Sequence, residues 1–283
     1  MTAIKKYPVL TYFALAFMIS WGCILIVTGL DGFMGTREIS EAQLPFVYLA
    51  VLAGPSIAGI LLTGLVDGKT GFREMGVRLF KGRVAVRWYA VALLIAPLLM
   101  TAILCLLSLA SPVFLPAIVT ADDKPGLLLT GTVMGLAVAF FEELGWTGFA
   151  IPRLRQRYGI MTTGLITGIL WGLWHLPLFL GSIRSAGTFL PGLYLSVMLF
   201  SFLPAYRVLM VWVYDQTGSL SLTMLMHAPL TASQLILNPP AISGTSLVIY
   251  NLLFTAALWI IVAIVAVLNK RQRSQLLLQR PMI

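Results

Sequence analysis

Two adjacent carboxylates, Glu142 and Glu143, interrupt an apolar segment with the sequence Ala-Phe-Phe-Glu-Glu-Leu-Gly-Trp. A charge at the centre of a bilayer costs about 2.5–3.5 kcal/mol even on insertion scales, so such residues usually serve a function. One interpretation places the pair at the cytoplasmic interface, in ion pairs with Arg153 or Arg157. We favour a second interpretation, in which the carboxylates face a water-filled cavity, because helical sequence continues beyond them.

Both histidines of the chain also lie in apolar segments. His175 occurs in Trp-Gly-Leu-Trp-His-Leu-Pro, and His227 occurs in Met-Leu-Met-His-Ala-Pro. A single histidine in such a segment can simply hold a structural hydrogen bond. Two of them, with no histidine elsewhere, favour a shared functional role.

Two carboxylates and two imidazoles are suited to the activation of water for hydrolysis. A carboxylate can act as a general base, while a histidine orients water or donates to an oxyanion. The same side chains suit zinc, held by two histidines and one glutamate with the other glutamate as base. We assign no certain cofactor and keep zinc as the alternative. Metal-free chemistry is slightly favoured, because zinc-binding helices commonly carry two ligands one turn apart.

The elements that hold these residues are long apolar segments. Of the 283 residues, 59% are hydrophobic and 10% are charged, whereas soluble domains carry about 25% charged residues. Recurring apolar runs of about 20 residues indicate transmembrane helices. We predict an all-α, polytopic transmembrane helical bundle with about eight spans, at 9–30, 45–66, 88–110, 126–150, 163–183, 189–213, 219–237 and 246–268.

The distribution of Lys and Arg predicts the orientation of the bundle. With both termini in the cytoplasm, sixteen of these residues face the cytoplasm, counting Arg207 near the inner end of the sixth span. Three do not: Arg37, Lys124 and Arg184. Cytoplasmic loops carry such an excess, so we predict a multi-pass protein of the bacterial cytoplasmic membrane. The basic residues lie at helix ends, where membrane orientation needs them. The net charge of +9 therefore predicts the lipid bilayer as partner and does not indicate nucleic acid.

The basic loop 67–87 either lies along anionic headgroups or only sets the orientation.

The depths of the polar residues favour one shared site. At 1.5 Å per residue, Glu142 lies about 24 Å, His175 about 18 Å and His227 about 12 Å along its span. In a hydrocarbon core about 30 Å thick, all three lie in the middle or in the cytoplasmic half. The helix that carries His175 also has small residues at every fourth position, which allow close helix approach: Gly164, Gly168 and Gly172. Simple helix packing explains these glycines equally well.

Three segments resemble the motifs of the CPBP family, which comprises CAAX prenyl endopeptidases and bacteriocin-processing or immunity proteins, also called Abi. The segments are Glu-Glu-Leu-Gly-Trp-Thr-Gly-Phe-Ala-Ile-Pro-Arg-Leu, Trp-Gly-Leu-Trp-His-Leu-Pro-Leu-Phe and His-Ala-Pro-Leu-Thr. The resemblance covers roughly residues 126–237. It implies proteolysis inside the membrane at a cytoplasm-facing cavity, with a peptide or a membrane protein as substrate.

The family pattern is Glu-Glu-x-x-x-Arg, Phe-x-x-x-His and His-x-x-x-Asn. Glu142 and Glu143 match the paired glutamates, His175 matches the second motif and His227 matches the third. The resemblance implies that a glutamate and a histidine activate water while residues of the third motif stabilise the oxyanion. Some descriptions call the family metalloproteases, so the question of a metal stays open.

Three positions depart from this pattern. Thr147 replaces the arginine, so Glu143 lacks a cation one helical turn away. Trp171 replaces the phenylalanine and keeps an aromatic wall. Thr231 replaces the asparagine on the His227 face. Its hydroxyl either donates to an oxyanion or bonds the carbonyl oxygen of His227 in its own helix.

The sequence therefore predicts an intramembrane endopeptidase whose candidate catalytic residues are Glu142, Glu143, His175, His227 and Thr231. We divide the chain into N-terminal helices 1–125, a catalytic core 126–237, and a last helix with a basic tail 238–283. One alternative is a catalytically silent relative that acts as an immunity or partner-binding membrane protein. The other is a transporter with a proton relay through buried charges, which the absence of an inverted repeat in the sequence disfavours.

Overall fold

The computed structural model describes residues 3–180 and 191–278, and this part of the chain is helical without a β-strand. Eight main helices follow one another: α1 Pro8–Phe33, α2 Leu44–Leu79, α3 Val86–Ser108, α4 Lys124–Arg155, α5 Ile160–Trp174, α6 Pro191–Thr217, α7 Leu220–Leu237 and α8 Gly244–Leu278. Three short helical turns lie at Ala3–Lys6, Pro112–Phe114 and Ala117–Thr120. The polytopic all-α bundle predicted from the sequence is confirmed.

Seven of these helices are long and apolar enough to cross a membrane, within the described residues. The exception is α5, whose 15 residues extend about 23 Å, less than a hydrocarbon core of about 30 Å. The fifth predicted span, 163–183, continues past a turn at His175 into residues 176–180, which are helical. Its last residues, like the start of the sixth predicted span, lie outside the described residues.

The predicted basic loop 67–87 is mostly helical, which corrects that expectation. Helix α2 continues to Leu79 after a sharp kink at Gly68, where φ is 62°. Glycine adopts this left-handed conformation without the steric penalty of a β-carbon. The kink therefore lets an apolar spanning helix turn into a basic helix without a connecting loop.

Close contacts between glycines and neighbouring helices bring the motif-bearing helices together. A β-carbon built on Gly164 of α5 would lie 2.5 Å from the Cα atom of Val208 in α6. A β-carbon on Gly59 of α2 would lie 2.7 Å from Cα of Gly145 in α4, and one on Gly135 would lie 2.5 Å from the carbonyl oxygen of Ala228 in α7. Real β-carbons essentially never come within 3.0 Å of such atoms. The close approach predicted for the α5 glycines is thus confirmed, and α4 is packed tightly between α2 and α7.

A layer of buried aromatic rings attaches α1 to this core. Tyr12 and Phe13 of α1 lie 5.7 and 5.8 Å, between ring centroids, from Trp146 of α4. Trp146 in turn lies 5.7 Å from the ring of Trp174 in α5. The indole nitrogen of Trp21 donates to the carbonyl oxygen of Trp174 over 2.9 Å. The N-terminal helix is therefore part of the same core as the three motifs.

Helices α4 and α6 each contain one π-helical turn, at Trp146–Ala150 and at Met198–Phe202. A π turn adds one residue to a helical turn and is frequent near functional sites. The first begins three residues after Glu143, and the second ends at Phe202. Both turns therefore border the region where the motifs meet.

Candidate active site

The motif residues meet near the middle of the bundle. The hydroxyl of Ser56, about halfway along the membrane-spanning part of α2, donates to the carbonyl oxygen of Phe141 over 2.7 Å. This contact fixes the level of the neighbouring Glu142. A cavity of about 230 Å³ is lined by Glu142, His175, His227 and Thr231, together with mostly apolar side chains. Four of the five predicted site residues therefore share one cavity.

The fifth predicted site residue, Glu143, lies behind the cavity wall and is fully buried. Its Oε1 atom accepts hydrogen bonds from Nη1 of Arg207 and Nδ1 of His227, each over 2.8 Å. Its Oε2 atom accepts from the same Nη1 over 3.0 Å and from the hydroxyl of Thr147. Both oxygens are thus occupied, and Glu143 holds His227 in place from behind.

Arg207 is the site residue that the sequence reasoning missed. The charge distribution predicts a cytoplasmic position for it, yet its side chain is fully buried in an ion pair with Glu143. The alternative that Arg153 pairs with a glutamate at the interface is wrong, because Arg153 forms its ion pair with Asp67. An arginine ten residues before the end of an apolar span was the signal that could have identified it.

The pairing of Glu143 with Arg207 also explains how the chain does without the family arginine at position 147. The cation comes from α6 rather than from the next turn of α4. Thr147 uses its hydroxyl to bond the same carboxylate. The substitution at 147 therefore leaves Glu143 fully paired.

Trp171 does more than form the predicted aromatic wall. Its indole nitrogen donates to Oε2 of Glu142 over 2.8 Å, and its carbonyl oxygen accepts from Nδ1 of His175 over 2.8 Å. The ring lies 5.4 Å from the His175 ring and 5.2 Å from the His227 ring, in edge-on arrangements. The guanidinium of Arg207 stacks 4.0 Å from the ring centre. Trp171 thus contacts four of the five ionisable groups of the site, all except Glu143.

The hydrogen bonds define which nitrogen of each histidine is left for chemistry. A carbonyl oxygen and a carboxylate only accept hydrogen bonds, so the Nδ1 atoms of His175 and His227 both carry a proton. In a neutral ring the Nε2 atom is then an acceptor. Nε2 is therefore the remaining polar atom of each imidazole, an acceptor in the neutral ring and a donor in the doubly protonated ring.

Zinc held by two histidines and one glutamate is the alternative that the sequence leaves open. The described residues contain no group of three or more His, Cys, Asp or Glu side chains placed to hold a metal ion. Glu143 in addition has both oxygens engaged by Arg207, His227 and Thr147.

Comparison with known proteins places a named family on this region. Residues 124–232 match the family model described as type II CAAX prenyl endopeptidase Rce1-like. A segment of 43 residues is 49% identical to a protein of Methanococcus maripaludis named CAAX prenyl protease 2. That segment covers 15% of this chain and 16% of the relative, so the chain spans under a fifth of the relative's length. The resemblance to a CPBP-type protease predicted from the three motifs is confirmed.

Proposed function

Because residues 124–232 match the Rce1-like family model, we propose that this chain is an intramembrane endopeptidase. The observation that carries the proposal is the meeting of Glu142, His175 and His227, from three separate helices, in one cavity near the middle of the bundle. Buried ionisable residues inside a membrane are costly, and they mark functional sites by default.

In the proposed reaction, Glu142 and His175 activate a water molecule. Trp171 holds one oxygen of Glu142, and no hydrogen bond to the other oxygen, Oε1, is present among the described residues. Oε1 and Nε2 of His175 are both acceptors that can bind and orient the water. As the water oxygen attacks the peptide carbonyl carbon, its proton passes to the Glu142 carboxylate. The protonated Glu142 then gives that proton to the departing amide nitrogen as the carbon–nitrogen bond breaks.

His227 is proposed to stabilise the oxyanion formed by this attack. Because its Nδ1 proton is directed to Glu143, donation from Nε2 requires the doubly protonated ring. With His227 protonated, the charges of Glu142, Glu143, Arg207 and His227 sum to zero. The cation beside the cavity then faces the developing negative charge, which is the electrostatic arrangement that lowers such a barrier.

The cavity wall indicates the kind of peptide that binds. Apart from the polar site residues, it presents mainly aliphatic and aromatic side chains: Val51, Leu52, Leu178, Phe179, Phe202, Leu203 and Leu230. An apolar pocket with a few placed polar groups binds an apolar ligand and orients it. We propose a peptide or membrane-protein substrate with apolar side chains next to the scissile bond.

Comparative membrane proteomics of cells that carry the wild-type or the Glu142→Gln protein tests the proposal. We expect new termini of a membrane-associated substrate in wild-type cells and the intact substrate in the variant. Identical profiles, with both proteins present at equal levels, would favour the catalytically silent, partner-binding alternative. The departures from the family pattern at Thr147 and Thr231 are the observations that favour this alternative.

Replacing Trp171 with phenylalanine, the family residue, should slow cleavage about 10–100-fold. The change removes the hydrogen bond to the Glu142 carboxylate, and bonds to charged groups contribute about 1.5–3 kcal/mol. We expect the loss in kcat rather than in KM, because the carboxylate acts on the water. Trp146→Phe is the matched control, since the buried Trp146 nitrogen makes no hydrogen bond within the described residues. Equal rates for the two variants would show that the Trp171 bond does not position Glu142.

Thr231→Val should slow cleavage at least tenfold, whereas Thr231→Asn should retain it. Thr231 lies one helical turn after His227 and lines the cavity. No bond from its hydroxyl to the carbonyl oxygen of His227 is present in the described part of the chain. Removal of one oxyanion donor typically costs about 2.7–4 kcal/mol. Thr223→Val is the control, because that hydroxyl bonds a backbone carbonyl away from the cavity. A wild-type rate for Thr231→Val would make Thr231 structural.

A further inference from the structure

One end of the bundle is strongly basic. Lys6, Arg78, Arg153 and Arg157 line a polar cavity of about 570 Å³ where α1 begins and α4 ends. Without the buried Arg207, the predicted bias of Lys and Arg toward this end is still fifteen to three. Cytoplasmic segments carry such an excess, so the basic end is assigned to the cytoplasm.

Helices α2 and α4 run side by side toward the basic end. Ser56 contacts the carbonyl oxygen of Phe141, and eleven residues further along α2 Asp67 pairs with Arg153 of α4. Residues that precede Ser56 in α2, or Glu142 in α4, therefore lie farther from the basic end. Apart from Glu142, the cavity-lining residues of these two helices all lie on that far side: Tyr48, Val51, Leu52 and Val138.

Helix α7 starts at the basic end, and α5 starts there with Ile160, so later residues lie farther from it. After His175 the cavity is lined by Leu178 and Phe179. After His227 it is lined by three residues of α7: Leu230, Thr231 and Gln234. In α6, which ends at the basic end, the lining residues Phe202 and Leu203 likewise precede Arg207. Apart from Trp171, one turn before His175, the remaining lining residues therefore lie on the side of the site that faces away from the basic end.

Toward the basic end the site is closed by packed side chains. Trp146, Thr147, Phe149 and Arg207 are each 0% exposed. The aromatic layer that joins α1 to α4 belongs to this seal. A peptide that enters from the basic end would have to displace this layer and the Glu143–Arg207 ion pair.

We infer that the substrate reaches Glu142 from the extracytoplasmic side, opposite to the cytoplasm-facing cavity that the family resemblance implied. The inference rests on the proposed function and adds to it the class of substrate. The substrate is a polypeptide whose apolar segment enters the outer half of the bilayer and whose cleavage site is presented outside the cytoplasm. An exported peptide or the outer part of a membrane protein has this chemistry.

Cysteine labelling tests the side of access without using catalysis. Cys23 and Cys105 are replaced by alanine, and single cysteines are introduced as Gln234→Cys or Leu52→Cys in the cavity wall. Arg157→Cys, at an exposed residue of the basic end, serves as the control. Each protein is treated with a membrane-impermeant, positively charged methanethiosulfonate in right-side-out and in inverted membrane vesicles.

We expect both cavity cysteines to react in right-side-out vesicles, with labelling lost in inverted ones, and the control to show the reverse. Cavity cysteines that react only in inverted vesicles would overturn the inference, and so would a lack of reaction from both sides while the control reacts. Access from the cytoplasm would leave the protease proposal intact. Conversely, unchanged cleavage by Glu142→Gln would refute the protease proposal whichever side the reagent enters.

Discussion

Glu142→Gln is expected to abolish detectable cleavage while the protein stays folded. Glutamine keeps the shape of the side chain and an oxygen that can accept the hydrogen bond from Trp171. It cannot take a proton from water, and loss of a general base typically lowers the rate about 10²–10⁴-fold. The measurement is the single-turnover rate on the substrate found by the proteomic comparison, with purified protein in liposomes.

His175→Ala should give a loss of similar size, because Nε2 of His175 is the second acceptor for the same water. Glu74→Gln is a matched control, since Glu74 is an exposed glutamate near the basic end of α2. It should cleave at the wild-type rate. If Glu142→Gln cleaved as fast as this control, Glu142 would have no role in water activation.

Arg207→Met is expected to lower the free energy of unfolding by about 3–5 kcal/mol, the usual effect of removing one partner of a buried ion pair. Methionine has a similar length and leaves little space unfilled, so the loss comes from the Glu143 carboxylate. That carboxylate is 0% exposed and would lose the Arg207 guanidinium as its ion-pair partner. Unfolding of the purified protein in mixed micelles, followed by circular dichroism, measures the change.

The double variant Glu143→Gln with Arg207→Met separates charge from packing. Replacing both members of a buried pair by neutral groups is often close to neutral for stability. We expect the double variant to regain most of the lost stability and to stay slow in cleavage, because His227 loses its carboxylate partner. Arg157→Met, at an exposed site, should change stability little. A single Arg207→Met variant as stable as Arg157→Met would contradict the assigned ion pair.

The sequence was sufficient for the parts of the fold that depend on local pattern. Apolar length identified the membrane helices, and the rarity of buried charge identified Glu142, Glu143 and both histidines. The glycine spacing in α5 predicted a close helix contact. Each of these signals is contained within one helix or one turn, so no knowledge of the tertiary arrangement was needed.

The parts that could not be predicted depend on contacts between distant segments. Arg207 lies 64 residues from Glu143. In the sequence alone, a basic residue near a helix end cannot be distinguished from the charges that set membrane orientation. The donation from Trp171 to Glu142 requires the relative rotation of α4 and α5. The side on which the cavity lies depends on which residues of different helices lie at the same height along the bundle. No single helix contains that information.

The buried pair of Glu143 and Arg207 has a consequence for how the chain enters the membrane during synthesis. Helix α4 carries two carboxylates, and its mean hydropathy is 1.6, compared with 2.7 for α3. Its cation arrives on α6, and at 5–20 residues per second the intervening 64 residues take about 3–13 s to synthesise. During that interval α4 has no counter-charge and is poorly suited to contact lipid alone. We therefore expect α4 to become stably embedded in the bilayer only after α6 has supplied Arg207.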